Sequence, residues 1–156
     1  MSSQALQLFQ RYGASRPGRW LVSRLICLRA PYFASIRPII DVLEPGRCVV
    51  RIRERRRVHN HIGTVHAIAL CNMAELAGGL ATDATIPDAM RWIPKGMSVR
   101  YLRKATGPMT ATARVPAINV AASGSEVHVT VEVRDDTGEA VFDADITMWI
   151  SPRKAQ

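Results

Sequence analysis

The sequence is poor in cysteine, and what it has is not arranged for cross-linking or metal binding. The three cysteines, Cys27, Cys48 and Cys71, are an odd number without a CxxC pair. That excludes a disulfide framework, and since each lies in an apolar segment the expectation is reduced core thiols in a cytoplasmic protein. No HExxH and no Cys-His pairing accompanies His59, His61 and His66, so no metal site is expected. Arginine is plentiful, but no aromatic stacking platform or recognised motif accompanies it, which argues against a nucleic-acid partner. No internal repeat or linker is visible. The apolar stretch near the start, WLVSRLICLRA, contains Arg24 and Arg29, which argues against a signal peptide.

What is present fits one folded domain: 156 residues are enough for a real core. The net charge of +8 invites anionic partners, with nucleic acid, anionic lipid and a phosphorylated small molecule as the classes. The central feature is NHIGTVHAIALCNMAELAGGLATD, residues 60–83. From Thr64, which stands where an N-cap belongs, to about Ala81, small and apolar residues fall on every side, the pattern of a helix buried all round. Its eighteen residues span about 27 Å, but His66, Asn72 and Glu75 argue against a membrane span. Glu75 is the anomaly. No Lys or Arg lies three or four residues from it on the helix. A carboxylate there is paired from elsewhere, is catalytic, or reaches solvent at the end of the core.

Around this helix the chain reads as wrapping. Residues 4–12 form a short amphipathic helix closed by Gly13; Pro17 opens a second helix in which Trp20, Leu21, Leu25 and Leu28 share a face, and Pro31 stops it. Such a basic amphipathic helix can lie on a membrane or on its own domain; the sheet that follows needs cover, so packing on the domain is expected over membrane contact. Strands are expected at 36–43, interrupted by Pro38, and at 48–55, where Arg51, Arg53 and Arg55 alternate with Val50, Ile52 and Glu54. After the long helix, four strands in a meander are expected near 97–104, 110–115, 127–133 and 140–150, the last two joined by the turn DDTG. The class is therefore α+β: residues 1–34 as a helical segment packing on the domain, 35–151 as a long central helix wrapped by a curved antiparallel sheet of about six strands, and 152–156 as a flexible tail. One helix cannot cover such a sheet and its edges, so a homodimer is expected, with dimers able to pair into a tetramer.

The element order, the phrases NHIGTVHA and NMAELA, and the later KGMSVRYL resemble the hotdog-fold thioesterases of the PaaI and 4-hydroxybenzoyl-CoA type, in the DUF4442 branch. The resemblance covers about residues 35–150 and extends weakly into the N-terminal helices. Those thioesterases place an Asn or Gln six positions before a His, and an acid fifteen positions after the Asn or Gln; Asn60, His66 and Glu75 keep both spacings. Two positions depart. The glycine after the His is Ala67, and the Ser or Thr that some members carry four residues beyond the acid is Gly79.

The resemblance implies hydrolysis of an acyl-CoA or related thioester, with coenzyme A entering as part of the substrate and no separate cofactor. The backbone N–H of Ala67 and a donor from Asn60 would stabilise the oxyanion, Glu75 of a second subunit would serve as base or nucleophile, and His66 would orient the turn. Arg100, Arg103 and Lys104 are candidates for the coenzyme A phosphates, with the run Arg51, Arg53 and Arg55–Arg57 as second choice. The alternative is a hotdog protein that binds an acyl thioester or lipid-like ligand without hydrolysing it. His66 and Glu75 are nine residues apart, about 13 Å along a helix and half a turn around it, so a single helix cannot bring both to one substrate.

Overall fold

Each of the first two helices starts at a serine. Ser3 and Ser15 accept hydrogen bonds from Leu6 N and Gly18 N, capping α1 (Gln4–Tyr12) and α2 (Arg16–Arg29). Gly18 is required at their junction, because a Cβ there would lie 1.7 Å from Tyr12 O. A 3₁₀ turn (Pro31–Ile36) leads into β1 (Ile39–Glu44) and β2 (Arg47–Ile52); a second (Arg56–Val58) and a loop lead into α3 (Ala67–Thr85). The strands β3 (Met90–Tyr101), β4 (Met109–Arg114), β5 (Ser125–Arg134) and β6 (Ala140–Pro152) follow. This is a computed structural model, and it describes residues 3–118 and 124–153.

The strands form one antiparallel sheet in the order β1-β2-β4-β5-β6-β3. That corrects the expected meander: β4, β5 and β6 are consecutive neighbours, but β3 crosses over to pair with β6 and becomes an edge. Side-chain alternation specifies which face a residue takes, not which strand lies beside it. The first strand begins at Ile39, later than the expected Ile36, because Ile36 still belongs to the 3₁₀ turn and Arg37 closes it with φ of 48°. Met90–Tyr101 starts earlier and ends earlier than the strand expected at 97–104, so Arg103 and Lys104 lie beyond it.

The sheet wraps α3. On the inner face of β5 and β6, Val129, Ile146 and Met148 approach so closely that a Cβ at Gly78 would lie 2.8 Å from Ile146 Cδ1. Met73 and Leu76, with Met109 and Ala111 of β4, are buried in the same core. The outer face is polar, with Arg100 on Asp143, Arg134 on Glu132 and His128 on Asp145.

The other edge is closed by the chain itself. A bulge between Ile40 and Val42 of β1 frees Asp41 to meet Arg19 of α2 and Arg51 of β2. Ser23, fully buried in α2, donates to Arg19 O and accepts from Ile40 N at 2.9 Å. The buried residues of α2 are Val22, Ser23 and Cys27. The face expected to cover the sheet is exposed instead: Trp20 is 56 % and Leu28 77 % accessible, and Leu21 and Leu25 are also exposed. At the other terminus the expected flexible tail starts too early, since Arg153 is held by hydrogen bonds to the backbone oxygens of Asp88 and Met90. The rest of that tail lies outside the described residues. Among the described residues, no helix is long and apolar enough to cross a membrane.

Candidate active site

The loop entering α3 is built on Asn60. Its Oδ1 accepts from Ile62 N and Thr64 N, both at 3.1 Å, and its Nδ2 donates to Thr64 Oγ1 at 2.8 Å. This ties the turn from both sides and leaves the amide a second hydrogen with no acceptor among the described residues. Val65 N donates to Ala105 O, which anchors the loop to the segment after β3.

His66, not Thr64, caps the helix. Its extended backbone stops the loop, and its Nδ1 accepts from Ile68 N at 3.0 Å. Accepting there leaves the proton of the neutral ring on Nε2. Thr64 is held in the preceding turn. Ala67, the first helical residue, has a backbone N–H without a protein acceptor among the described residues, at the positive end of a 19-residue helix. A donor so placed is electrostatically suited to a negative charge.

Glu75 corrects the expectation of a helix buried on every side. It is exposed, on one stripe with Ile68, which is 54 % accessible, and the half-buried Cys71. Residues at these spacings share a helix face. Glu75 has no hydrogen-bonding or ion-pair partner among the described residues. The stripe is closed one turn further on, where the Trp92 ring lies over Gly79 and its Nε1 donates to Asp83. A Cβ at Gly79 would stand 2.8 Å from Trp92 Cη2, so the hydroxyl side chain some thioesterases carry has no room here.

Beside the stripe runs β3. Its inner-face residue Tyr101 meets Cys71, with 3.2 Å between the hydroxyl and Sγ, and the Tyr101 pKa is pushed up to about 12, first by this hydrogen bond and then by burial. Cys71 is therefore not the core thiol expected of it, whereas Cys27 and Cys48 are buried. Tyr101 was not a candidate from sequence; its alternation with Met97 and Val99 gave its face but not its partner thirty residues away. Asn72, one turn from Glu75, donates to Ser35 Oγ, whose backbone oxygen accepts from Arg55. The arginine run thus reaches α3 through two hydrogen bonds.

The other basic candidates lie elsewhere. Arg100 points to the outer face, away from α3, in a two-bond pair with Asp143, and Arg103 pairs with Glu139. Lys104 is exposed. His59 faces Glu54 at 3.0 Å; among the described residues no three His, Cys, Asp or Glu side chains are grouped to hold a metal ion.

The sequence profile of the family described as "Domain of unknown function (DUF4442)" matches residues 18–150. The chain belongs to the DUF4442 family. The match takes in α2 as well as the sheet and α3. The structure is similar to the crystal structure of the genomics protein APC5556, at 44 % identity over 96 % of this chain and 99 % of that one, with a TM-score of 0.83. It is also similar to the thioesterase SAV0944 from Staphylococcus aureus, at 20 % identity over 78 % of this chain and 99 % of that one, TM-score 0.70. A thioesterase family protein from Silicibacter pomeroyi matches at 20 % identity over 84 % of this chain and 96 % of that one, TM-score 0.71. No curated protein matches the chain. The DUF4442 domain seen here has the hotdog fold, a central helix wrapped by a six-stranded antiparallel sheet.

Proposed function

We propose that this DUF4442 protein is a thioester hydrolase acting on an acyl-CoA or related thioester at a site formed by two copies of the chain. The observation that carries the reading is the open stripe of α3: among the described residues Glu75 is exposed without a partner beside the edge strand β3, and the N–H of Ala67, about 12 Å away along the same helix, has no acceptor. One chain holds both halves of a hydrolytic site too far apart for one carbonyl. A second copy related by a two-fold axis would bring its Glu75 to the first copy's helix start. The thioesterases among the fold relatives favour the same chemistry.

In this reading the thioester carbonyl accepts from Ala67 N–H and from the second amide hydrogen of Asn60, and the helix dipole stabilises the oxyanion as it forms. Glu75 of the second copy takes a proton from the attacking water, or attacks the carbonyl itself to form an anhydride that water then hydrolyses; in either route the carbon–sulfur bond breaks and the thiolate of coenzyme A leaves. His66 holds the helix start in shape and transfers no proton from Nδ1. Met90, Trp92 and Met97, on the face of β3 that Tyr101 shares, would receive the acyl group, rather than Met73 and Leu76, which are buried in the core. For the phosphates, Arg100 and Arg103 would have to leave Asp143 and Glu139, and Arg55 the Ser35 oxygen, which favours Lys104, Arg56 and Arg57. A cytoplasmic setting suits a chain whose three thiols are all free.

The missing hydroxyl at Gly79 favours the alternative, a protein that binds the thioester without turning it over. Purified wild type and Glu75→Gln, assayed on a panel of aliphatic and aromatic acyl-CoAs with light scattering for oligomeric state, decide between them. Hydrolysis requires turnover that falls by about 10² or more in the variant, the scale of a lost general base. Equal inertness of both proteins, with acyl-CoA still bound, assigns the binding reading. A monomer that turns over substrate refutes the shared site.

A further inference from the structure

The exposed apolar face of α2 borders an open cleft of about 940 Å³ between that helix and strands β1 and β2, lined by seven arginines and one carboxylate, Asp41. Asp41 is already shared by Arg19 and Arg51. Arg24 and Arg55 donate to the backbone oxygens of Pro38 and Ser35, which neutralise no charge. Arg16, Arg37 and Arg53 have no ion-pair partner among the described residues. Arg19 Nε and Arg24 Nε are buried without an acceptor. Burial, and then the charges of Arg37, Arg57 and Arg24, hold the Arg55 pKa below its usual value, as expected where cations crowd without an anion. Arg37 is also the one described non-glycine residue with positive φ, at 48°.

Beside this cleft, α2 has four arginines and no acidic residue, with Trp20 on the lip of the cleft and Leu21, Leu25 and Leu28 on the solvent side. Tyr32, 69 % accessible, continues the apolar edge just past the helix. Single exposed apolar residues need no explanation, but a stripe of three leucines ended by Trp and Tyr and flanked only by cations does.

We infer that the exposed face of α2 and the arginine cleft beside it dock the protein on an anionic lipid surface, with the leucines and Trp20 in the interface and the arginines on the headgroup phosphates. Two chemistries select this occupant. Apolar side chains with interfacial aromatics call for a boundary that is greasy on one side and wet on the other. Uncompensated guanidinium groups call for phosphates, which they bind as forked donors. A second copy of the chain fits poorly, because a two-fold contact on this face would set one arginine cluster against its own copy. The inference does not depend on the hydrolase reading.

Sedimentation of the full chain with vesicles of phosphatidylcholine, alone or mixed with phosphatidylglycerol, tests it. The expected result is binding to the anionic vesicles only, lost as salt is raised, with a blue shift of tryptophan emission that Trp20→Phe removes. Each neutralised arginine lowers partitioning roughly fivefold, so Arg37→Gln with Arg53→Gln lowers it roughly 25-fold. Leu28→Asp abolishes binding at an unchanged thermal midpoint. The inference is overturned if anionic vesicles are not bound at low salt, or if Leu28→Asp binds as well as wild type. It is equally overturned if free coenzyme A binds the cleft and vesicles do not, which makes this a soluble-anion site, or if Leu28→Asp splits an oligomer, which makes the face a subunit contact.

Discussion

Asn60 has two jobs in this reading, and one substitution separates them. Replacing Asn60 by Ala removes all three side-chain hydrogen bonds that shape the loop before α3. At a net value of about 0.5–1 kcal/mol each for partly exposed bonds, the loss is about 1.5–3 kcal/mol. For a chain of this length that lowers the thermal midpoint by about 3–12 °C. Asn60→Asp is different. One carboxylate oxygen still accepts from Ile62 N and Thr64 N, and the Thr64 hydroxyl can rotate to donate to the other, so the loop keeps its three bonds. The new negative charge lies near the start of α3, where the helix dipole tolerates it. The expected stability change is under about 1 kcal/mol. Yet Asp has no N–H to offer an oxyanion and sets a like charge beside it, so turnover falls by at least about 10²–10³, equivalent to about 2.7–4 kcal/mol of transition-state stabilisation. Differential scanning calorimetry and acyl-CoA hydrolysis on the same samples read both quantities. If Asn60→Asp is as stable as wild type and hydrolyses at a similar rate, Asn60 only shapes the loop, and the oxyanion assignment fails.

Gly79→Ser forces a Cβ against the Trp92 ring and is expected to cost about 1–3 kcal/mol, offset by a few tenths from better helix propensity; an unchanged near-ultraviolet dichroism band and a raised midpoint would show that Trp92 does not need the glycine. Ser23→Ala leaves the buried Ile40 N–H without its acceptor and is expected to lower stability by about 1–3 kcal/mol, measured by urea unfolding; no change in the midpoint would mean that α2 is not fastened to β1 by this bond. His128 bonds to Asp145 at 2.7 Å, and that bond, then the carboxylate charge, raises its pKa above 6.5. A raised folded value favours the imidazolium in the folded state, so its contribution is complete below pH 6.5 and lost as pH rises through the folded value. Proton NMR titration should place His128 above an ordinary histidine, and Asp145→Asn should return it there; equal titration in both proteins would refute the pairing.

Much of this was legible because side-chain period reports local geometry. The alternation of Val127, Val129, Val131 and Val133 marked β5, and the turn at 135–138 marked the hairpin that follows it. The run of small and apolar residues marked α3, although its cap is His66 rather than Thr64 and Glu75 lies on its exposed side. Three things were not legible. Local pattern cannot say that β3 pairs with β6, because that is decided by which edge the whole sheet leaves free. It cannot say which side of an amphipathic helix is inside: in α2 the buried side carries Val22, Ser23 and Cys27 while the larger apolar side chains Trp20 and Leu28 are exposed. And an apolar helix implies cover on every side only if cover exists; the described residues cover Cys71 in part, through Tyr101, and leave Ile68 and Glu75 exposed.

That bare stripe and the bare edge of β3 are one problem. The opposite edge of the sheet is managed within the chain, where Ser23 takes the Ile40 N–H, Arg24 takes the Pro38 oxygen and Asp41 is drawn into an ion pair with α2. Among the described residues β3, a 12-residue edge strand with Ile93, Met97 and Tyr101 exposed, has Arg153 on the Met90 oxygen at its start but no helix fastened to its backbone as α2 is to β1. Long apolar edges invite pairing. Because β3 touches α3 through Trp92 on Gly79 and Tyr101 on Cys71, anything that pairs with β3 also approaches the stripe that holds Glu75. Pairing cannot run evenly along the strand, since Pro94 has no N–H to give and the register slips between Pro94 and Gly96. The stretch from Gly96 to Tyr101 is left as the regular template, and it is the stretch that lies beside Cys71. An asymmetry of this kind, one edge sealed by the chain's own helix and the other open beside an unpartnered acid, is what a site completed by a second copy requires.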